Sequence, residues 1–103
     1  MKPIQDKAEV SIDFPDKFYM GSFARDSKFE ARSENDGLLI KIVKSREAKR
    51  VVEIHLHHHL LAGILSEWAE SIADEPLRDD DHRKTLLDAL KKLQKALSRK
   101  SRK

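Results

Sequence analysis

The stretch that decides the fold is RVVEIHLHHHLLAGILSEWAESI, residues 50–72, because the spacing of its apolar side chains changes partway along. As far as Leu56, apolar and polar residues alternate, which is the period of a half-buried strand. From Leu60 onward the apolar residues recur at steps of one, three and four, so they share one side of a helix. This change predicts a strand that ends near residue 56 and an amphipathic helix over about residues 58–73, with Trp68 as a core anchor.

Before residue 50 the sequence predicts further strands, in which apolar residues alternate with polar ones or concentrate as aromatic and branched aliphatic side chains. These segments are 9–14, 17–24, 28–34 and 38–44. Asn35-Asp36-Gly37 forms the turn between the last two, with residue types that tolerate positive φ, and the charged residues 45–49 form the next turn. Such short connections favour an antiparallel meander over a parallel sheet, which needs helical crossovers.

After the first helix, Pro76 and an acidic linker predict a break, and Asp79 or Asp80 is suited to cap a second helix over about residues 80–98. The apolar stripe of this second helix consists of Leu86, Leu87, Leu90, Leu93 and Leu97. The expected fold class is α+β: an antiparallel meander of four to five strands followed by two C-terminal helices packed on one sheet face. Five leucines can exceed what one sheet face covers, so we also expect self-association through this helix.

Length and composition predict a single small domain. The 103 residues match one domain, which we assign to residues 9–98, between a flexible arm, 1–8, and a basic tail, 99–103. The absence of cysteine excludes disulfides and thiolate chemistry, including cysteine-based zinc or iron-sulfur sites. A mean hydropathy of −0.65, with no signal-peptide core and no run long enough to span a membrane, predicts a soluble protein of the cytoplasm.

The net charge of +3 hides a strong segregation of charge along the chain. Residues 1–50 carry eleven basic and nine acidic groups, residues 51–90 carry three and nine, and residues 91–103 carry seven and none. The basic end predicts contact with a polyanion such as nucleic acid. The same segregation also allows the basic end of one subunit to meet the acidic middle of another, so both interpretations stay open.

The predicted sheet offers one candidate nucleic-acid surface. Its residues are Tyr19, Phe23, Lys28, Arg32 and Lys41. The three cations would position the nucleic-acid backbone, and the two aromatic rings would stack on unpaired bases. If the first strands have the opposite register, Phe18 and Met20 face outward instead.

The second helix offers another candidate surface, opposite its leucine stripe. Its cations are Lys84, Lys91, Lys92, Lys95 and Arg99. Phosphate contacts from such a row predict binding that depends on salt and tolerates many nucleic-acid sequences. A solvated helix face followed by a basic tail is the alternative interpretation of the same residues.

The run His55-Leu56-His57-His58-His59 contains the candidate metal ligands. His55 and His57 project from the same face of a strand, and two imidazoles so placed can share a zinc, nickel or copper ion. A third ligand would come from Glu53, in the same alternation, or from His82 on the second helix. The alternative interpretation, a transition from strand to helix with solvated histidines, is the one we favour, and it predicts no bound metal.

No catalytic motif is present, because the chain lacks a GxSxG elbow and a glycine-rich phosphate loop. The order of four strands followed by a helix resembles, in topology alone, the small single-strand-binding proteins of the transcriptional-coactivator and Pur type, which implies single-strand binding. We therefore predict a small non-enzymatic protein without a cofactor, which binds single-stranded DNA or RNA as a homodimer. The alternative is a protein-interaction or regulatory adaptor, which holds a protein partner and has no role with nucleic acid.

Overall fold

The computed structural model describes residues 1–44 and 50–99, and its elements follow the predicted order. They are β1 Lys2–Pro3, β2 Ala8–Phe14, β3 Lys17–Phe23, β4 Ser27–Glu34, β5 Gly37–Lys44, β6 Arg50–His57, α1 His58–Asp74 and α2 Asp80–Leu97. Antiparallel strands followed by two helices confirm the α+β class. The predicted turn at 45–49 and the end of the basic tail, 100–103, lie outside the described residues.

The chain divides into two compact units, Met1–Ile64 and Leu65–Lys103. The first unit contains all the strands named above, and the second contains α2 and the larger part of α1. The single domain over residues 9–98 and the packing of both helices on one sheet face stay predictions. Among the described residues, neither helix combines the length and the apolar character needed to cross a membrane.

The strands form two antiparallel sheets. One has the order β1-β4-β5-β6, and the other consists of the hairpin β2-β3. β1 belongs to the segment predicted as a flexible arm, but Lys2 pairs with Phe29, and the Ile4 N–H donates to the Ser27 carbonyl at 3.0 Å. The edge of β4 thus offers backbone partners to this part of residues 1–8, and the flexible arm stays a prediction.

The turn between β4 and β5 has two residues, Asn35 and Asp36, with Glu34 paired to Gly37. No residue in the described part of the chain has positive φ, so this turn does not use the tolerance for positive φ that residues 35–37 have. Gly37 is needed for a different reason. A Cβ built on it would lie 2.1 Å from the Leu56 carbonyl oxygen, because the start of β5 runs against the end of β6 without room for a side chain.

Alternation along β4, β5 and β6 separates the sheet into an apolar and a polar face, as predicted. Residues that pair directly across antiparallel strands point to the same side. The apolar face is formed by Phe29, Ala31, Leu38, Ile40, Ile42, Val52, Ile54 and Leu56. The polar face contains the charged residues and histidines, namely Lys28, Glu30, Arg32, Lys41, Glu53, His55 and His57, together with Leu39 and Val43.

The core of the first unit is small and lies where β3 packs against β5. Its buried apolar residues are Phe23, Leu39 and Val43, and Ser27 is the buried polar residue. The Lys44 ammonium donates to the Ser22 carbonyl at 3.2 Å, which ties the ends of these two strands together. Leu39 and Val43 are thus buried although they belong to the polar face.

Each helix begins where the sequence indicates. α1 follows directly after His57, and Asp79 caps α2 by accepting a hydrogen bond from the His82 backbone N–H at 3.0 Å, which also holds the pKa of the Asp79 carboxyl below its usual value. Trp68 is 40% exposed, and its role as a core anchor against the sheet stays a prediction. Neither helix contains a buried residue.

Candidate functional site

Carboxylates lie beside two of the cations of the polar sheet face, Arg32 and Lys41. The Arg32 guanidinium lies 3.3 Å from a Glu30 oxygen and 3.2 Å from a Glu34 oxygen. Lys41 is paired across the strands with Glu30 on one side and with Glu53 on the other. Two of the three cations predicted to position a nucleic-acid backbone are thus surrounded by negative charge, which weakens the attraction of this face for phosphate.

The two predicted stacking residues have opposite surroundings. Tyr19 is 52% exposed, whereas Phe23 is only 2% exposed and belongs to the core. Phe23 as a stacking platform is therefore wrong, because its ring has no face open to a base. Lys28, the third predicted cation of the sheet, is exposed and pairs across the strands with Val43.

The hairpin β2-β3 presents large apolar side chains to solvent on both of its faces. Tyr19 lies opposite Ile12, and on the other face Phe18 lies opposite Asp13. The exposed set is Ile12, Phe14, Phe18, Tyr19 and Met20. The choice between the two registers therefore does not decide which aromatic rings are accessible, because Phe18 and Tyr19 are exposed on opposite faces of the same hairpin.

On α2 the predicted cations line one side of the helix. We call Lys84, Lys91, Lys92, Lys95 and Arg99 the basic row; at 3.6 residues per turn they lie on the side opposite the leucines, and all are exposed. The ion pairs of this helix are His82 with Asp79 and Arg83 with Asp80. Within the described residues no carboxylate lies within ion-pair distance of the basic row.

The leucine stripe on the other side of α2 is open. Leu90 and Leu93 are 42% and 44% exposed, and Leu97 near the C-terminal end is 76% exposed. Full burial of a leucine is worth about 1.5–3 kcal/mol, so each of these residues retains a substantial part of that free energy for association.

The polar sheet face also brings together two histidines and a carboxylate. His55 Nε2 lies 3.0 Å from one carboxylate oxygen of Asp36, and His57 Nε2 lies 3.7 Å from the other. The imidazole rings of His55 and His57 are 4.9 Å apart between centroids. One ligand atom from each of the three residues lies within 4.8 Å of the other two.

The third member of this cluster is not one that sequence reasoning selected. Glu53 alternates with His55 along β6 but is not part of the cluster, and His82 Nδ1 lies 4.0 Å from Asp79. The register of β5 against β6, in which Gly37 pairs with His57, carries Asp36 to this position. Asp36 immediately precedes Gly37, which pairs with His57, so knowledge of this register would have identified Asp36 as a neighbour of the histidines.

Comparison of this chain with protein-family models, with curated proteins and with solved structures finds no match.

Proposed function

We propose that this chain is a non-enzymatic binding protein that forms a homodimer and holds single-stranded nucleic acid by its phosphate backbone through the basic row of α2. A cytoplasmic location is part of the proposal. The observation that carries it is the contrast between two sets of cations. Arg32 on the sheet forms ion pairs with Glu30 and Glu34. Lys41 lies between Glu30 and Glu53 in the strand register. Lys91, Lys92 and Lys95 are exposed without ion-pair partners among the described residues.

Unpaired cations on one side of a helix suit a polyanion better than a single anionic ligand. The basic row extends from residue 84 to residue 99, about four turns at 3.6 residues per turn, which suits the repeated charge of a nucleic-acid backbone. Each phosphate contact gains free energy from counterion release. The exposed rings of Phe14, Phe18 and Tyr19 are chemically suited to stack on unpaired bases, which favours single strands over duplexes.

The homodimer follows from the opposite side of the same helix. Leu86, Leu90, Leu93 and Leu97 are separated by four, three and four residues, a spacing that reads identically in both directions. In two antiparallel copies of α2, each of these leucines therefore lies opposite a leucine of the second copy. Ala89 and Ala96 flank this seam and allow close approach of the helices.

Charge decides between the antiparallel and parallel arrangements. A parallel pair would bring Asp79, Asp80 and Asp81 of the two copies together at one end and the basic rows together at the other. An antiparallel pair brings the acidic N-terminal end of each helix beside the basic C-terminal end of the second copy and opposes the helix dipoles favourably. We therefore propose the antiparallel pair, which leaves both basic rows on the outer surface.

The test is the fluorescence anisotropy of a labelled oligothymidine, titrated with the full chain at several salt concentrations. The wild-type affinity is expected to fall linearly on logarithmic axes as salt rises. Replacing Lys91, Lys92 and Lys95 together by alanine should weaken binding and reduce the salt slope by about 2, because each phosphate contact with a single strand contributes about 0.7.

The matched control removes the three cations of the sheet, Lys28, Arg32 and Lys41, again by alanine. We expect little effect on affinity, since Arg32 is ion-paired with two glutamates and Lys41 lies between two glutamates in the strand register. Equal losses in the two triple variants would reject the basic row as the principal contact. Absence of binding at micromolar protein in low salt would reject the nucleic-acid function, and the adaptor hypothesis would take its place.

A further inference from the structure

The geometry of the cluster of Asp36, His55 and His57 is set by the backbone of β6 and of the turn before β5. His55 and His57 are alternate residues of β6, so both imidazoles project from the polar face of the sheet. Both direct Nε2 towards the same carboxylate, at 3.0 Å and 3.7 Å. Each histidine thus meets a different oxygen of Asp36.

The backbone holds Asp36 at this position. Its carbonyl accepts a hydrogen bond from the His58 N–H at 3.1 Å, so the turn before β5 is attached to the junction of β6 and α1. The next residue, Gly37, lies against β6 so closely that a Cβ would come within 2.8 Å of the His57 Cα. The carboxylate is therefore supplied from a fixed backbone position directly beside the two histidines.

We propose that Asp36, His55 and His57 form a binding site for a divalent transition-metal ion, with Zn²⁺ as the ion to test first. Two imidazole nitrogens and one carboxylate oxygen are the ligand types that zinc takes in open sites, where water or another ligand completes the coordination. This proposal does not depend on the proposed nucleic-acid function.

The distances agree with those that tetrahedral zinc requires. With metal–ligand bonds of about 2.0–2.2 Å, two ligand atoms at the tetrahedral angle lie roughly 3.3–3.5 Å apart. The distances from Asp36 to His55 and His57, 3.0 Å and 3.7 Å, fall on either side of this value, and all three ligand atoms lie within 4.8 Å of one another. All three side chains are exposed, which gives an ion direct access from solvent and leaves its remaining positions open.

A simple ion pair accounts for less of the arrangement. One histidine is sufficient to pair with Asp36, and a second protonated imidazole 4.9 Å from the first would be repelled by it. Coordination needs both imidazoles in the neutral form, each with a free nitrogen. The Asp36 carboxylate can bind the ion through one oxygen or through both. The metal and ion-pair interpretations therefore predict different results when zinc is added.

The experiment is isothermal titration of ZnCl₂ into the full chain, expressed without a polyhistidine tag and freed of metal by EDTA and dialysis. The variants are Asp36→Asn, His55→Ala and His57→Ala. The matched controls are His58→Ala and His59→Ala, which remove neighbouring exposed histidines that are outside the cluster. Far-UV circular dichroism checks that each variant is folded, and the visible absorption of Co²⁺ reports coordination independently of heat.

We expect about one zinc ion per chain in the wild type, a loss of affinity of about tenfold or more in each cluster variant, and less than about twofold change in the controls. The cobalt spectrum should disappear in the same three variants. Three outcomes would overturn the proposal: far less than one ion per chain, wild-type affinity in the His55→Ala variant, or an equal loss in the His58→Ala and His59→Ala controls.

Discussion

Replacing Gly37 by alanine tests the close approach of β5 and β6 on which the histidine cluster depends. The added Cβ would lie 2.1 Å from the Leu56 carbonyl oxygen and 2.8 Å from the His57 Cα. Both of these are backbone atoms, so no side-chain rotation can relieve the contact. A carbon and an oxygen need about 3.3 Å, so the strands must separate here by about 1.2 Å, the difference between 3.3 and 2.1 Å.

The cost of this separation can be estimated from its parts. Overpacking at a tightly packed position costs about 1–3 kcal/mol. The backbone hydrogen bond from His58 to Asp36, at 3.1 Å, is strained or lost as the turn moves, at a net cost of about 0.5–1.5 kcal/mol. We therefore expect Gly37→Ala to lower the free energy of unfolding by about 2–3 kcal/mol and to weaken zinc binding in parallel, since Asp36 moves with the turn.

Urea unfolding followed by far-UV circular dichroism measures the effect, at equal protein concentrations because a dimer makes stability concentration-dependent. Gly63→Ala is the matched control. A Cβ at Gly63 meets no atom within 4 Å, and alanine in a helix interior is better than glycine by about 1 kcal/mol. The two substitutions should thus shift the midpoint in opposite directions. A Gly37→Ala midpoint at or above the wild-type value would refute the close approach as the reason for glycine here.

Three further predictions concern the helices and the core. Leu90→Lys should convert the proposed dimer to a monomer in size-exclusion chromatography with light scattering, whereas Lys92→Ala should stay dimeric, because only Leu90 lies in the leucine stripe. A dimeric Leu90→Lys variant would contradict the proposed seam. Asp79→Ala should reduce helix content in circular dichroism, since the backbone N–H three residues on loses its acceptor. The pKa of Asp79 is lowered in the folded chain, so its stabilising contribution is present above the usual aspartate value and is lost as pH falls through the lowered pKa; a helix content independent of pH across that range would speak against the cap. Leu39→Ala, at a position 7% exposed, should lower the free energy of unfolding by about 2–5 kcal/mol, whereas Met20→Ala, at a position 71% exposed, should change it little; similar losses in the two would place the core elsewhere.

Much of the secondary structure is predictable because it depends on local periodicity and local chemistry. The branched aliphatic content of 38–44 and the change of period after Leu56 are properties of neighbouring residues, and β5, β6 and α1 follow them closely. Asp79 was identifiable as a cap because its side chain needs only the backbone three residues away.

The burial of individual residues was less predictable, because it depends on what covers each face. Phe23 and Tyr19 belong to the same aromatic-rich strand, yet one is 2% exposed and the other 52%. Alternation places both on the same face of the hairpin. Only the packing of the end of β3 against β5 distinguishes them, and nothing in the order of residues 17–24 indicates where that contact falls.

By itself, the sequence determined the α+β class, the change from strand to helix after Leu56, and the segregation of charge towards the C-terminal end, since each depends on residues close together in the chain. The tertiary structure alone decided that Asp36, nineteen residues before His55, completes the cluster with His55 and His57. The physical reason is the register of β5 against β6, which pairs Gly37 with His57. The glycine is visible in the sequence, but its close approach to the backbone of Leu56 and His57 is not, because it depends on which strand lies beside it.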